Sequence, residues 1–508
     1  MRSGKSLKSL SLRRVCRETP AVAELLEKRA LLSAVVVNTT LDQIDPPASK
    51  TVSLRDAVTI ANASTTPTVI TFNSTAFATA KTITLKSQLE LSNASHAITI
   101  TGPAAGVTIS GNKVTRVFVV DGGVTASLAG LTIASGKVTG SNIQSDGGAG
   151  ILNNGTLTLN KVTLSGNSTN GLGGAIRNLH LLTITNSTIN GNSTSYVGGA
   201  IYNGNWPTNP GTTTLTMTNV TIAGNSAASG AGAAIYNDDY GGGSVVKLRD
   251  VTIANNSDTG STGDTPARGA VVNAPPNRGT PVISLANTII AGNTISLVTT
   301  PDVSGAFTSQ GFNLIGQTDG STGWKASDRT GTHAHPLSAK LGSLANNGGP
   351  TQTLLPLAGS PAIDHGSNAL IPSGVTLDQR GLTRIVNGTV DIGAVEVQPA
   401  VTPGSISGKV FGDTNGDGKI NNGEFGVGLW TVYLDLNKDG KLDAGDKSVT
   451  TDINGNWSFT GLAPQTYLVR VVPVAGIAAT KPTGALLTIT LAAGQVSAGN
   501  LFGERAIS

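Results

Sequence analysis

The chain has 508 residues, 65 of them Gly, and only 13% are charged, about half the usual share of roughly 25%. That length allows two to four domains. A hydrophobic content of 38% excludes a charge-rich disordered chain, and 4% aromatics argues against a single core built on large rings and for a thin, repetitive fold.

The first 34 residues account for the positive charge. They hold Arg2, Lys5, Lys8, Arg13, Arg14, Arg17, Lys28 and Arg29 against Glu18, Glu24 and Glu27. This leader carries +5 of a total of +4, leaving −1 on the body, so nucleic-acid binding is not expected despite a pI near 9.1. The one cysteine, Cys16, lies in the leader, which excludes disulfides, Cys-ligated zinc and thiol catalysis from the body. No apolar run reaches the roughly 18–20 residues of a membrane span, so none is expected. The stretch LLEKRALLSA (25–34) resembles an N-terminal motif of exported planctomycetal proteins, roughly L-E-x-R-x-L-L-S-A. Leu26, Glu27, Arg29, Leu31, Leu32, Ser33 and Ala34 carry the match. The resemblance implies a secreted or cell-surface protein.

Next in the chain, SLRDAVTIANAS (53–64) is an amphipathic helical turn, followed by short alternating runs VITF (69–72), TITL (82–85), LELS (89–92) and ITITGP (98–103). The segment resembles the entry region of bacterial extracellular β-helix proteins, where a related helix covers the first coils.

Internal repeats follow. LTLNKVTLSGNS (157–168), LTITNSTINGNS (182–193), LTMTNVTIAGNS (215–226), VKLRDVTIANNS (246–257) and ISLANTIIAGNT (283–294) form one block. GAGILNN (148–154), GGAIRN (173–178), GGAIYN (198–203), GAAIYN (232–237) and RGAVVN (268–273) form the other. Ile151, Ile176 and Ile201 are 25 residues apart, and the later copies carry insertions. Side chains alternate within each copy, and the alternation breaks at Asn160–Lys161, Asn186, Asn219, Asp250 and Asn287. Asn and Asp tolerate the left-handed backbone of a sharp corner. Two short strands joined by a corner, plus a third at GGAIxN, make one coil of a right-handed parallel β-helix. Two Asn columns, Asn153–Asn178–Asn203–Asn237–Asn273 and Asn167–Asn192–Asn225–Asn256–Asn293, are read as structural ladders.

Residues 336–396 contain NNGGPTQT, GSPAID, DQRG and DIGAVE. In that order these strings resemble the segment that ends β-helices of the choice-of-anchor Q type, which implies a C-terminal cap. His365 departs from that pattern, where a small residue is usual.

After a Pro-containing linker, DTNGDGKINNGE (413–424) and DLNKDGKLDAGD (435–446) both satisfy a calcium-loop template. The first offers Asp413, Asn415, Asp417, the Lys419 carbonyl and Glu424. The second offers Asp435, Asn437, Asp439, the Lys441 carbonyl, Asp443 and Asp446. Calcium takes six to eight hard oxygens, which alternate side chains and a carbonyl supply. The flanks SISGKVF (405–411) and GLWTVYLDL (428–436) alternate like strands, which excludes EF-hand helices. With DINGNWSFTGLAPQTYLVRVV (452–472) and GQVSAGNLFGE (494–504), the region resembles the B-type repeat of SD-repeat surface proteins. That family implies a Greek-key sandwich stiffened by structural Ca2+. Asp452, Asn454 and Asn456 are read as a turn.

The expected organisation is a leader (1–34), a β-helix with its N-terminal cap (35–300), final coils and C-terminal cap (301–397), a linker (398–404) and the calcium-binding sandwich (405–508). The solenoid is poor in catalytic chemistry: residues 35–300 hold 11 acids, mostly single. Its densest charged set is Asp238 and Asp239, with Arg177 and Arg249 nearby in the repeat. The position between the inward Ile and Asn of GGAIxN holds Leu152, Arg177, Tyr202, Tyr236 and Val272. Tyr202, Trp206, Tyr236 and Tyr240 form a candidate sugar-stacking surface, or else they brace the wall. His333 and His335 lack a third metal ligand and are read as loop. The expected function is an exported display or adhesion wall on a spacer, contacting extracellular polysaccharide or another surface protein. The alternative is a polysaccharide lyase or glycoside hydrolase using Arg177, Asp238, Asp239 and Arg249.

Overall fold

A computed structural model describes residues 33–46, 49–140, 146–205, 211–228, 231–258, 268–277, 279–295, 302–399 and 402–507. The chain divides into two compact units, with the boundary between Val397 and Gln398. Nearly all regular structure is strand, as expected.

The first unit is a parallel β-helix. Its strands stack into sheets of 17, 6 and 9 strands, and every pairing between named strands is parallel. The register follows the repeat residue for residue. Leu157, Leu182, Leu215, Val246 and Ile283 align on successive coils, as do Ile151, Ile176, Ile201, Ile235 and Val271. These inward side chains are almost fully buried in one continuous core.

The corners lie where alternation breaks. Lys161, Asn186, Asn219, Asp250 and Asn287 have φ of 56°, 50°, 55°, 55° and 48°. In the first of these coils the left-handed residue is Lys161, one position past the expected Asn. In the next coils the strand runs on through the corner, as Leu181–Asn190, Thr213–Ala223 and Ser244–Ala254. The Gly pairs are steric. A Cβ on Gly174 would lie 2.2 Å from the Gly199 carbonyl oxygen of the next coil.

Both Asn ladders form. Asn153, Asn178, Asn203 and Asn237 each donate Nδ2 to the next column member at 2.7–2.8 Å. Asn167, Asn192, Asn225 and Asn256 do the same at 2.9 Å. Every rung donates toward the C-terminus, so each ladder needs a terminal acceptor. The first ends on the carbonyls of Pro281 and Ala306. The second ends on Asp302, whose Oδ1 accepts from Asn293 Nδ2 at 2.8 Å.

The helix Leu54–Ala63 starts at a capping box between Ser53 and Asp56 and buries Leu54, Ala57, Val58 and Ala61 against the first coils. Ser33 and Ala34, the last residues of the leader motif, belong to the first strand, Ser33–Val37, which pairs with Thr68–Phe72. Cys16 and residues 1–32 lie outside the described residues.

Residues 337–397 run back along the flank of the solenoid as a strap, a course the sequence did not reveal. Leu341, Leu344 and Leu354 cover the outward Ala223 and Ala254. Ala362 and Ile392 cover Ile289, Ala291 and Leu314. Gln379 of the DQRG string accepts from Thr221 Oγ1 at 2.6 Å and donates to Thr188 Oγ1 at 2.9 Å. Arg384 pairs with Asp250 at 2.9 Å, both buried. Ala394 of DIGAVE donates its N–H to Thr252 Oγ1. The strap therefore reads one outward Thr column, Thr188–Thr221–Thr252.

The second unit is a sandwich of two four-stranded sheets. One sheet orders Asn456–Leu462, Gly404–Gly412, Val496–Ala506 and Ile477–Lys481. The other orders Lys447–Thr450, Thr431–Leu434, Thr466–Val471 and Leu486–Thr490. Gly404–Gly412 and Val496–Ala506 pair in parallel, and the other named pairs are antiparallel. Ile406, Val410, Val432, Trp457, Phe459, Val469 and Phe502 fill the core.

Candidate functional site

Each of the two template loops leaves the end of a sandwich strand: the first follows Gly412, the second Leu434. They share five backbone bonds and differ in the second N–H that reaches position 1, which is Gly416 in the first and Asp439 in the second. The residue at position 1 accepts from the N–H at position 6: Gly418 to Asp413 at 2.9 Å and Gly440 to Asp435 at 3.1 Å. The Asn at position 3 accepts from position 5, at Asp417 and Asp439. Position 5 accepts from the N–H of Lys419 or Lys441. The carboxylate at position 12 accepts from positions 2 and 9: Thr414 and Asn421 to Glu424, Leu436 and Asp443 to Asp446. Gly418 and Gly440 have φ of 72° and 79°, a turn that suits Gly.

These bonds gather carboxylates that would otherwise repel. In the first loop, ligand oxygens of Asp413, Asp417 and Glu424 lie within 4.8 Å of one another. Two oxygens on opposite sides of a calcium ion, each at about 2.3–2.6 Å, sit about 5 Å apart, so the trio fits that ion. Hydrogen bonds offset burial and hold the Asp413 carboxyl below its usual range. Bonds from Asn421 and the Lys419 N–H do the same for Asp417, and the Asn421 N–H does so for Glu424. The charged forms a cation needs are thus favoured. The second loop forms no such trio among the described residues. There Arg470 Nε sits 2.8 Å from Asp435 Oδ2, a partner the sequence reading missed. Asp452 closes a turn by accepting from the N–H groups of Asn454 and Asn456.

Residues 404–486 match the family model described as the SdrD B-like domain. No curated protein matches the chain. The matched span contains both loops and the strands that carry them.

The solenoid candidates meet a different fate. Tyr202 is 1% exposed, so its ring offers no face to a sugar. It stacks on half-buried Tyr236, with centroids 6.2 Å apart and planes at 6°. Leu172, Val197, Ala231 and Val272 complete a small apolar cluster around it. The column expected to form a sugar-stacking surface is instead covered here by Leu172, Val197 and Ala231. Tyr202 Oη donates to Asp238 at 2.7 Å. Asp239, fully buried, accepts from the N–H groups of Asn277 and Gly279. Arg177 is also buried, which lowers its proton affinity. Burial raises the Asp238 carboxyl. Arg249 lies on the neighbouring sheet and donates to the Leu248 carbonyl and to Ser284. The four residues of the catalytic alternative therefore do not converge: Asp239 is committed to loop backbone and Arg249 stands apart. Tyr240 is half-buried, and Trp206 lies outside the described residues. His333 and His335 are exposed.

The strap holds a further acidic set: Asp364, Asp391 and Glu396, with oxygens within 4.8 Å. Its oxygens hold backbone. Asp391 accepts from the N–H groups of Asp364 and Val397, and Glu396 from those of Val386 and Asp391. Burial lifts the Glu396 carboxyl to about 7. This set fixes the strap's own turns.

Proposed function

We propose that this is an exported surface or matrix protein in which a β-helix serves as a display wall and the C-terminal sandwich as a calcium-stiffened spacer. The observation that carries the reading is the repetition of five backbone bonds in the two loops inside a match to the SdrD B-like domain. Such domains are associated with cell-surface adhesins, which supports a surface location. Asp413, Asn415, Asp417, the Lys419 carbonyl and Glu424 would hold one ion. Asp435, Asn437, Asp439, the Lys441 carbonyl, Asp443 and Asp446 would hold a second. Bound calcium would neutralise each carboxylate set and clamp the loop to its strand end.

The leader motif and the choice-of-anchor Q strings of the strap fit export and surface assembly in the same reading. The partner is an extracellular polysaccharide or another surface protein, met by the uncharged Thr, Ser and Asn wall. The test is labelling of intact cells with antibodies to residues 33–507, alongside retention of the purified chain on polysaccharide columns. Labelling of intact cells is the expected result. Signal confined to the cell interior would contradict the proposal.

A further inference from the structure

We propose that Arg470 is a built-in counter-cation of the second loop, so that the two loops take calcium unequally: the first as a preformed site, the second only in competition with a guanidinium. The proposal rests on the calcium reading above and assigns Arg470 a role within it.

The loops share five backbone bonds and differ in one N–H to position 1, from Gly416 in the first and Asp439 in the second; their charge difference lies in side chains. Strand register places Arg470 opposite Tyr433, and its side chain reaches two residues further to Asp435. The Asp435 side chain is fully buried and that of Arg470 is 23% exposed. A calcium ion arriving at position 1 must share or displace that shielded cation, and like charges at such range oppose one another. The first loop has no such ion pair: Arg505 and Lys481 pack against its backbone at Gly416 and Gly418, but among the described residues no Lys or Arg forms an ion pair with Asp413, Asp417 or Glu424.

Two further differences point the same way. Position 12 is Glu424 in the first loop and Asp446 in the second, one methylene shorter. Position 4 is Gly416, with φ of 76°, in the first, but Lys438, with φ of 64°, in the second, and a side chain there is strained. Of the two loops, the first alone gathers a carboxylate trio. Without metal, Arg470 supplies the second loop's positive charge, and the first loop supplies the response to calcium.

Isothermal titration of the full chain with calcium tests this. Wild type should show one tight event and a second at least about tenfold weaker. Arg470→Gln should tighten the second by about tenfold and leave the first unchanged. Should that variant not fold, Glu424→Gln and Asp446→Asn decide instead: the first should abolish the tight event, the second only the weak one. Two equal sites in wild type, a second site indifferent to Arg470→Gln, or loss of the tight event in Asp446→Asn would overturn the proposal alone. Absence of binding at either loop would remove the calcium reading and this proposal together.

Discussion

The solenoid and the sandwich both order a charge-poor chain, but they distribute that order differently. In the solenoid it is spread over many equivalent rungs: two Asn ladders, a shared register and a core that continues from coil to coil. In the sandwich the acidic groups are concentrated in two single loops, and in the first they crowd together. The carboxyl at the end of a solenoid ladder and those of the loops shift in opposite directions. Asp302, at the end of a ladder, is lifted to about 6 by burial, whereas the loop carboxyls Asp413, Asp417 and Asp435 are held low by hydrogen bonds. The solenoid tolerates its few charges as acceptors; the loops are built to keep theirs.

The comparison is sharpened first by cutting the strap from the solenoid. Arg384→Met leaves Asp250 buried without its cation and should cost about 3–5 kcal/mol, read as a lower melting transition of the solenoid with the sandwich transition unmoved. Asn192→Ala, in the middle of a ladder, strands the donors of Asn167 and the carbonyl of Leu164. It should cost about 3 kcal/mol in denaturant unfolding.

The ladder terminus gives a smaller, pH-dependent effect. In the folded chain Asp302 keeps its proton up to about 6, while the unfolded chain loses it near 4. The folded state therefore binds more protons in this window, and its stability falls as pH rises from 4 to 6. Asp302→Asn should remove about 2 kcal/mol of that pH dependence, measured by melting at pH 4.5 and 7.5. An unchanged pH profile would contradict the assignment. Smallest is Lys438→Gly, which should stabilise the sandwich by about 0.5 kcal/mol through relief of its left-handed backbone.

The repeat made most of the solenoid legible. Each coil restates the same side-chain chemistry, so Leu157, Asn153 and Asn167 announce their stacked partners 25 residues on. What stayed hidden has no period. Gln379 and Arg384 meet partners up to 192 residues away. The signal that could have revealed the strap was the outward Thr preceding Ile or Leu in four of the five copies, with Ile289 in the last, a column whose hydroxyls the strap binds. Burial of Tyr202 was hidden because its cover comes from Leu172, Val197 and Ala231, which lie outside the repeat blocks. The ligand spacing of both loops was plain in the sequence, but Arg470 lies 35 residues from Asp435 and meets it only through strand pairing.

The central claim is that calcium orders the sandwich and leaves the solenoid alone. Differential scanning calorimetry of the full chain, with millimolar calcium and with chelator, tests it most directly. Saturation at about 100 times Kd is worth about 2.7 kcal/mol, so the sandwich transition should rise by roughly 10 °C while the solenoid transition stays in place. A sandwich transition indifferent to calcium, or a solenoid transition that moves with it, would contradict the account.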